Sequence, residues 1–211
     1  MESSDKITIP LLSTAYMPPI EYFHILATNP VVKIEACENF QKQTYRSRTY
    51  IYASGGVDVL QLPVIHNSVD GNLISAKQID YSKSWLHQHK LAITSAYRSS
   101  PFFEYYWDDI VSILDRKLSS LLELNTLLTQ KLCELMNIDC RIELTEEFTP
   151  VGESSCDYRY RISPKSKEPH IFDSREYYQV FATKHGFIPH LSVLDLLFNE
   201  GPQSEEFLLT F

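Results

Sequence analysis

Lysine and arginine alternate with uncharged residues between positions 42 and 50. Successive side chains of a β-strand point to opposite faces, so a strand here would place Lys42, Arg46 and Arg48 on one face, beside Thr44 and Tyr50. Guanidinium groups bind carboxylate or phosphate through two parallel hydrogen bonds. This face therefore predicts a binding site for an anionic small-molecule substrate. The alternative is a solvated outer face with a charged edge.

A tryptophan and two histidines follow in the stretch Trp85-Leu86-His87-Gln88-His89, where the pattern predicts a helix. Residues two apart lie on different faces of a helix, so His87 and His89 would not chelate one metal ion together. His89 belongs to the inward stripe with Trp85. We predict that His89 is a general acid or base beside a cleft. The alternative is a buried neutral histidine that is hydrogen-bonded to a carbonyl group.

Two histidines, His185 and His190, lie in a predicted turn directly before the last helix. Ser192 and Asp195 then have the S-x-x-D form of a capping box, in which Ser192 caps the helix and Asp195 returns the bond. The start of this helix is also a potential anion site. Asp195 is accordingly a second catalytic candidate, since its carboxylate could orient a histidine.

Motifs of common cofactor enzymes are absent, because the sequence contains no GxGxxG, GxxxxGK[ST], GxSxG or HExxH. The four cysteines form no CxxC pair and no Cys/His cluster of zinc-finger spacing. We therefore predict reduced thiols and no metal site. The sequence does not indicate which cofactor, if any, the protein uses.

The charge balance narrows the class of partner. The chain has 27 acidic and 19 basic side chains and a formal charge of -8, which argues against nucleic acid or anionic lipid as the main partner. It has no run of about 18 apolar residues, and residues 1–6 lack the features of a secretory signal. We predict a cytoplasmic protein without membrane insertion. A homo-oligomer is compatible with the sequence.

The first 35 residues have the pattern of a β-α-β unit. An apolar strand over residues 7–16 precedes a helix that begins at Ile20 and ends at Asn29-Pro30, and residues 31–35 form the next strand. Such a unit joins parallel strands by a right-handed crossover. It is the main indication of an α/β fold.

The rest of the chain is predicted as a hairpin, several helices and one long loop. Alternation over residues 42–53 and 57–65 around a glycine pair predicts the hairpin, and residues 73–81 predict a further strand. Helices are expected over residues 84–99, from 102 to 118 or beyond, along the leucine stripe up to 135, and over 192–199. Residues 150–176 are polar and proline-dotted, as in a loop or lid.

These elements predict one domain over residues 1–211. Its class would be α/β, with a mixed sheet opened by the β-α-β unit and a helical middle section packed on it; the alternative is α+β. Ligands of open α/β sheets bind beyond the carboxyl ends of the strands. We therefore expect residues 16–22 at the mouth of a cleft.

Several blocks of the sequence together resemble one known family. They are LLSTAYMPPIEY at 11–22, KQTYRSR at 42–48, Trp85 with His87 and His89, YYQVF at 177–181, KHGFIP at 184–189 and LSVLDLLFN at 191–199. These blocks are similar to the WbqC-like family. Many members begin with Gln-Pro-x-Tyr-Phe-Pro, where this chain has Ser-Thr-Ala-Tyr-Met-Pro at 13–18, as in the variant from Bacteroidetes-type bacteria.

The resemblance implies a role near sugar or sugar-nucleotide metabolism, because members are associated with bacterial surface-polysaccharide (O-antigen) gene clusters. We expect a transferase-type enzyme that acts on a phosphorylated or nucleotide-linked sugar or a related acyl donor. The alternative is a non-catalytic binding or scaffold protein of the cytosol. The site residues that the resemblance picks out are Tyr16, Gln43, Arg48, Trp85, His89, Tyr178, Gln179, His185 and Asp195.

Arg48 and His89 are selected by both the residue pattern and the resemblance. We predict that Arg48 holds an anionic substrate group and that His89, as the general acid or base, lies within one substrate's width of it. Gln43 would lie on the opposite face of a regular strand from Arg48, so a strand could deliver both to one site only through a bulge.

Overall fold

The computed structural model describes residues 9–65, 72–172 and 175–210. The described chain opens with β1 (Leu11–Ser13), α1 (Ile20–Thr28) and β2 (Val31–Glu35), and the two strands are parallel. Helix α1 begins directly after Pro19, whose fixed φ and missing N–H suit a helix start. The predicted β-α-β opening is confirmed.

A β-hairpin follows, formed by β3 (Arg48–Ala53) and β4 (Gly56–Gln61). The strands are antiparallel and turn at Ser54 and Gly55, where Gly56 has a φ of 109° that favours glycine. The hairpin that the glycine pair predicted is confirmed.

Residues 42–47 form turns, so the prediction that the strand begins at residue 42 is wrong. Gln43 lies in the left-handed region at φ 61°. The hydroxyl of Thr44 donates to the carbonyl of Gln41 at 2.8 Å, and the side chain of Arg46 turns inward and is buried. Local hydrogen bonds and the inward arginine therefore override the β-propensity of this stretch.

The strand predicted over residues 73–81 is also not formed. A 3-10 helix occupies Ile74–Ala76, and isolated bridges join Val64 to Ile79 and Gln78 to Ser120. This segment is extended in short pieces but has no regular partner strand among the described residues.

The middle of the chain is helical, as predicted: α2 (Trp85–Tyr97), α3 (Phe103–Leu114) and α4 (Leu121–Leu135). Helix α2 packs on β3, and α3 packs on α4. Helix α4 reaches the first sheet through Leu122, which contacts Ile34 of β2.

Strand β5 (Arg141–Leu144) pairs with β2, which gives a parallel sheet in the order β1-β2-β5. The hairpin forms a separate two-stranded sheet. The α/β class is therefore confirmed, with parallel and antiparallel pairing in two sheets.

Residues 145–172, called the strap below, contain no helix or strand. The strap is anchored by Arg159, whose buried guanidinium donates to Glu35 at 3.0 Å and to both carboxylate oxygens of Asp157. The loop predicted at 150–176 is irregular wherever it is described; residues 173 and 174 lie outside the described residues.

The C-terminal part contributes α5 (Ala182–His185), α6 (Val193–Glu200) and α7 (Ser204–Leu209). One contiguous hydrophobic core includes residues from Leu12 in β1 to Leu208 in α7. None of the described helices is long and apolar enough to cross a membrane.

Candidate functional site

A cavity of about 330 Å³ opens beside the start of the hairpin, and we call it the cationic cavity. Its lining includes Lys42, Gln43 and Arg48, which are three of the predicted substrate-binding residues. Among the described lining residues, Lys83 is a third cation and Asp80 is the one carboxylate. The local excess of positive charge suits an anion, although the chain as a whole is acidic.

The turns at residues 42–47 explain how Gln43 and Arg48 reach the same cavity. A regular strand would have separated them, whereas the left-handed backbone at Gln43 redirects its side chain. Nε of Arg48 donates to the side-chain oxygen of Gln61. No carboxylate of the described residues lies within ion-pair distance of Arg48, so its terminal nitrogens are available to a ligand.

Arg46 lies apart from this cavity. Its guanidinium donates to the two carboxylate oxygens of Glu38 at 2.7 and 2.6 Å, and both side chains are buried. Burial raises the pKa of Glu38, and the hydrogen bonds and charge of Arg46 oppose that rise. The predicted substrate contact of Arg46 is therefore corrected to a structural ion pair inside the protein.

A second cavity, of about 300 Å³, lies against the start of α1 and is called the histidine cavity. Three of its lining residues form a cluster in which Oε1 of Glu21 lies 2.7 Å from Nδ1 of His170 and 3.2 Å from Nδ1 of His190. The two imidazole rings are stacked, with centroids 3.5 Å apart and planes 8° apart. The remaining lining residues are Tyr45, Tyr50, Val57, Arg161, Ser163, Pro164, Ser166, Glu168, Ile188, Pro189 and Leu191.

Three separate chain segments assemble this Glu21–His cluster. Glu21 lies in the first turn of α1, where the helix dipole favours a carboxylate. His190 ends the turn before α6, and backbone bonds from Ile20 to Leu191 and from Val193 to Pro18 tie that turn to the start of α1. His170 comes from the strap.

Glu21 is buried, yet it remains a carboxylate. Burial pushes its pKa upward, but hydrogen bonds and charge from His190 and His170 outweigh this effect, and the net pKa is lowered. An ionised carboxylate can only accept hydrogen bonds, so each bonded Nδ1 carries the proton. The contacts with Glu21 use the Nδ1 atom of each ring and not Nε2.

The two cavities lie side by side along one face of the hairpin. Arg48 pairs with Gln61, and Tyr50 pairs with Val59, so all four side chains are on the same face. Arg48 lines the cationic cavity and Tyr50 lines the histidine cavity. Two residues of strand span roughly 7 Å, so an extended small molecule could reach from one cavity to the other. We call the two cavities together the hairpin cleft.

His89 lines neither cavity of the hairpin cleft. Its Nδ1 is 3.1 Å from the hydroxyl of Tyr16, its ring also bonds to the backbone of Gln61, and it packs on Trp85. Tyr16, Trp85 and His89, which were all predicted as site residues, are buried. Burial lowers the pKa of His89 to about 4. The neutral, core-bound alternative therefore describes His89 better than the predicted acid or base.

Asp195 is also fully buried, and its carboxylate accepts from the hydroxyl of Tyr177 at 2.6 Å and the amide of Gln179 at 2.8 Å. Burial raises the pKa of Asp195 to about 6. Ser192 caps α6 as predicted, but its own N–H donates to the carbonyl of Tyr50. The predicted return bond of the capping box is therefore absent, and Asp195 joins a buried polar network.

The other C-terminal candidates do not converge on the hairpin cleft. Gln179 is buried and exchanges two hydrogen bonds with the backbone of Ile188. Tyr178 is 57% exposed, and His185 lies near the carbonyl of Ser54 at the tip of the hairpin. Gln179 acts as a structural brace, whereas a substrate contact of Tyr178 or His185 stays a prediction.

Glu21, His170 and His190 were missed as site residues. The position of Glu21 was a usable signal, because it follows the carboxyl end of β1, within the stretch 16–22 that was expected at a cleft mouth. Tyr16 and Tyr22 from that stretch are buried. His170 gave no signal, because it lies in an aperiodic segment 149 residues from Glu21. The prediction of no metal site rested on sequence spacing, whereas the structure brings together three residues, Glu21, His170 and His190, that could hold a metal ion.

Comparison with known proteins shows the family of the chain. The model of the WbqC-like protein family matches residues 14–171, which include Glu21, Arg48 and His170. The chain is similar to the Uncharacterized protein Rv1507c of Mycobacterium tuberculosis (strain ATCC 25618 / H37Rv), with 24% identity over 232 residues, 95% of this chain and 96% of the relative. No solved structure matches. Because the family model covers most of the sequence, the chain belongs to the WbqC-like protein family.

Proposed function

We propose that the protein is a transferase-type enzyme that binds a small anionic substrate in the hairpin cleft. The observation that carries this proposal is the presence of Arg48 and the Glu21–His cluster along one face of the hairpin. A transfer reaction needs a donor and an acceptor side by side. The two adjoining cavities are suited to that arrangement.

The cationic cavity is the proposed site for the anionic group of the donor. The terminal nitrogens of Arg48 can bind a phosphate or carboxylate through two parallel hydrogen bonds. Lys42 and Lys83 add positive charge, and their flexible ammonium groups do not require one fixed hydrogen-bond geometry. A phosphorylated or nucleotide-linked sugar, or a related acyl donor, has such a group. The association of the family with bacterial surface-polysaccharide gene clusters makes sugar-linked donors the first class to test.

The histidine cavity is the proposed place of proton transfer. The acceptor hydroxyl or amine must lose a proton as it attacks the donor, and a base there must be within hydrogen-bonding reach. The Glu21–His cluster offers two imidazoles to the cavity and a carboxylate that can stabilise their protonated form. Tyr45 and Tyr50 supply aromatic surface on which a sugar ring can pack.

A thermal-shift screen tests binding, with nucleotide sugars, sugar phosphates, acyl-CoA and aminoacyl donors, and with neutral sugars as the negative set. A ligand at 100 times its Kd stabilises the folded state by about 2.7 kcal/mol. We expect shifts from anionic ligands. Arg48→Lys should weaken binding of a positive ligand by about tenfold or more, because a point charge cannot replace a bidentate fork.

Arg98→Lys is the matched control, since Arg98 is exposed at the end of α2 and lines neither cavity. Equal binding by wild type and Arg48→Lys would contradict the placement of the anion. Binding without any conversion of the ligand, across a panel of hydroxyl and amine acceptors, would support the alternative of a non-catalytic binding protein.

A further inference from the structure

Glu21, His170 and His190 have the composition of a metal site. Their three potential ligand atoms all lie within 4.8 Å of one another. We propose that this cluster binds one divalent transition-metal ion, with Zn²⁺ as the reference ion, and leaves one coordination position open to the histidine cavity. The inference concerns the acceptor end of the proposed active site and rests on the proposed function only for its catalytic consequence.

The donor set selects the class of ion. Two imidazole nitrogens and one carboxylate oxygen suit Zn²⁺ and neighbouring first-row ions, whereas Mg²⁺ and Ca²⁺ prefer oxygen ligands alone. Catalytic zinc sites commonly have three protein ligands and one open position. Glu21 and His190 are largely buried, with side chains 5% and 17% exposed, and the side chain of His170 is 53% exposed.

Metal binding at these atoms displaces the proton that each Nδ1 carries and requires a modest rearrangement. Metal–ligand bonds of about 2.0–2.1 Å at tetrahedral angles place ligand atoms roughly 3.3 Å apart. The Glu21–His190 contact is already 3.2 Å, whereas the Glu21–His170 contact of 2.7 Å must lengthen. A metal ion lies near the plane of each imidazole ligand, so the stacked rings must rotate apart. His170 is free to make this rotation because its side chain is half-exposed on the strap.

A bound ion would define the base of the proposed reaction. Zn²⁺ lowers the pKa of a bound water to about 7, so hydroxide is available at neutral pH. That hydroxide would accept the proton of the acceptor O–H or N–H and become bound water, while the freed oxygen or nitrogen would form a bond to the donor. The bond from the donor to its anionic leaving group would break, and that group would keep the electron pair in the cationic cavity. The imidazoles then act as ligands, and the cavity wall orients the acceptor.

The test is metal binding by the full chain, without a polyhistidine tag and after removal of metal with a chelator. Isothermal titration with Zn²⁺ should show one site per chain, and Co²⁺ should give the visible absorption of a four-coordinate ion. His170→Gln should weaken Zn²⁺ binding by at least about tenfold. His170 is half-exposed, so this change leaves the folded core untouched.

His87→Gln is the control, because His87 is exposed on α2 and is not part of the cluster. It should bind Zn²⁺ like the wild type. Absence of saturable Zn²⁺ binding, or equal affinity of wild type and His170→Gln, would overturn the proposal. No substrate enters this experiment, so failure here would leave the binding of an anionic donor by Arg48 intact, and failure of the ligand screen would leave the metal site intact.

Discussion

At the scale of single residues, two buried ionisable side chains depart from their ordinary chemistry in opposite directions. Burial lowers the pKa of His89 to about 4 and raises the pKa of Asp195 to about 6. His89 resists protonation in the folded state, whereas Asp195 holds its proton longer than it would in the unfolded chain. Their contributions to stability should therefore have opposite pH dependence.

The sign of each pH dependence follows from whether the folded or the unfolded state takes up the proton. Between about pH 6.5 and 4 the unfolded chain protonates His89 and the folded state does not, so stability from His89 is present above pH 6.5 and lost on acidification. Asp195 is protonated in the folded state below about pH 6, so its contribution is present below about pH 4 and lost as pH rises through 6. Each effect is about 3 kcal/mol, and the two largely cancel in the wild type.

We predict that each of the substitutions His89→Gln and Asp195→Asn removes one of the two cancelling contributions, so the pH dependence of the other becomes measurable. The free energy of unfolding of His89→Gln, relative to wild type, should rise by about 3 kcal/mol from pH 7 to pH 4, and that of Asp195→Asn should fall by a similar amount. Urea unfolding at several pH values measures both, with His87→Gln as the control. Differences that do not vary with pH would contradict the burial of these groups.

The sequence predicted the location of His89 in its helix better than the role of either residue. The inward stripe correctly placed His89 on the buried face of a helix, but a helical pattern cannot tell a core histidine from one that lines a cleft. The difference is decided by the hydroxyl of Tyr16 and the backbone of Gln61, which tertiary packing supplies. Asp195 was assigned to a local cap, and two residues more than ten positions away bind it instead.

At the scale of elements, one buried arginine helps to hold the strap on the first sheet, beside backbone hydrogen bonds that join Leu11 to Cys156 and Tyr158. Arg159 is buried between Glu35 at the end of β2 and Asp157. Replacing one partner of a buried ion pair leaves an uncompensated charge. The strap also carries His170, so this anchor helps to place one member of the Glu21–His cluster.

We predict that Arg159→Met lowers the free energy of unfolding by about 3–5 kcal/mol, because it strands Glu35 and Asp157 without their cation. Arg161→Met is the matched control in the same strap, since its ion pair with Glu168 is exposed and worth at most about 1 kcal/mol. Urea denaturation measures both variants. Similar losses in the two would show that Arg159 is not the anchor.

Element prediction succeeded where periodicity, breakers and burial agreed, as in the β-α-β opening bounded by Pro19 and by Asn29-Pro30. It failed at residues 42–47, where alternation resembled a strand while Arg46 had a buried partner, Glu38, outside any local pattern. That failure matters for the site, because the turns bring Gln43 and Arg48 to one cavity.

At the scale of the whole molecule, one hydrophobic core joins the first strand to the last helix. We predict one cooperative unfolding transition, as for a single domain over residues 1–211. Fluorescence of Trp85 and Trp107 should change at the same urea concentration as far-UV circular dichroism. Two separate midpoints would contradict the single-domain account.

The candidate site is a property of the whole molecule, which limits what the sequence can predict about it. Glu21 and His170 are 149 residues apart, and His190 comes from a third segment. None of the three belongs to a spaced motif, so only the fold brings them together. Arg48 was predicted because its charge pattern is local to one segment.

The central claim is that the two cavities form one cleft for a single anionic ligand, and hydrogen–deuterium exchange tests it most directly. The protein is compared with and without the strongest ligand of the thermal-shift screen. The account predicts slower exchange in both residues 61–64, which line the cationic cavity, and residues 186–191, which include four lining residues of the histidine cavity. Protection of only one of these segments, or of neither, would contradict the hairpin cleft as one site for a single ligand.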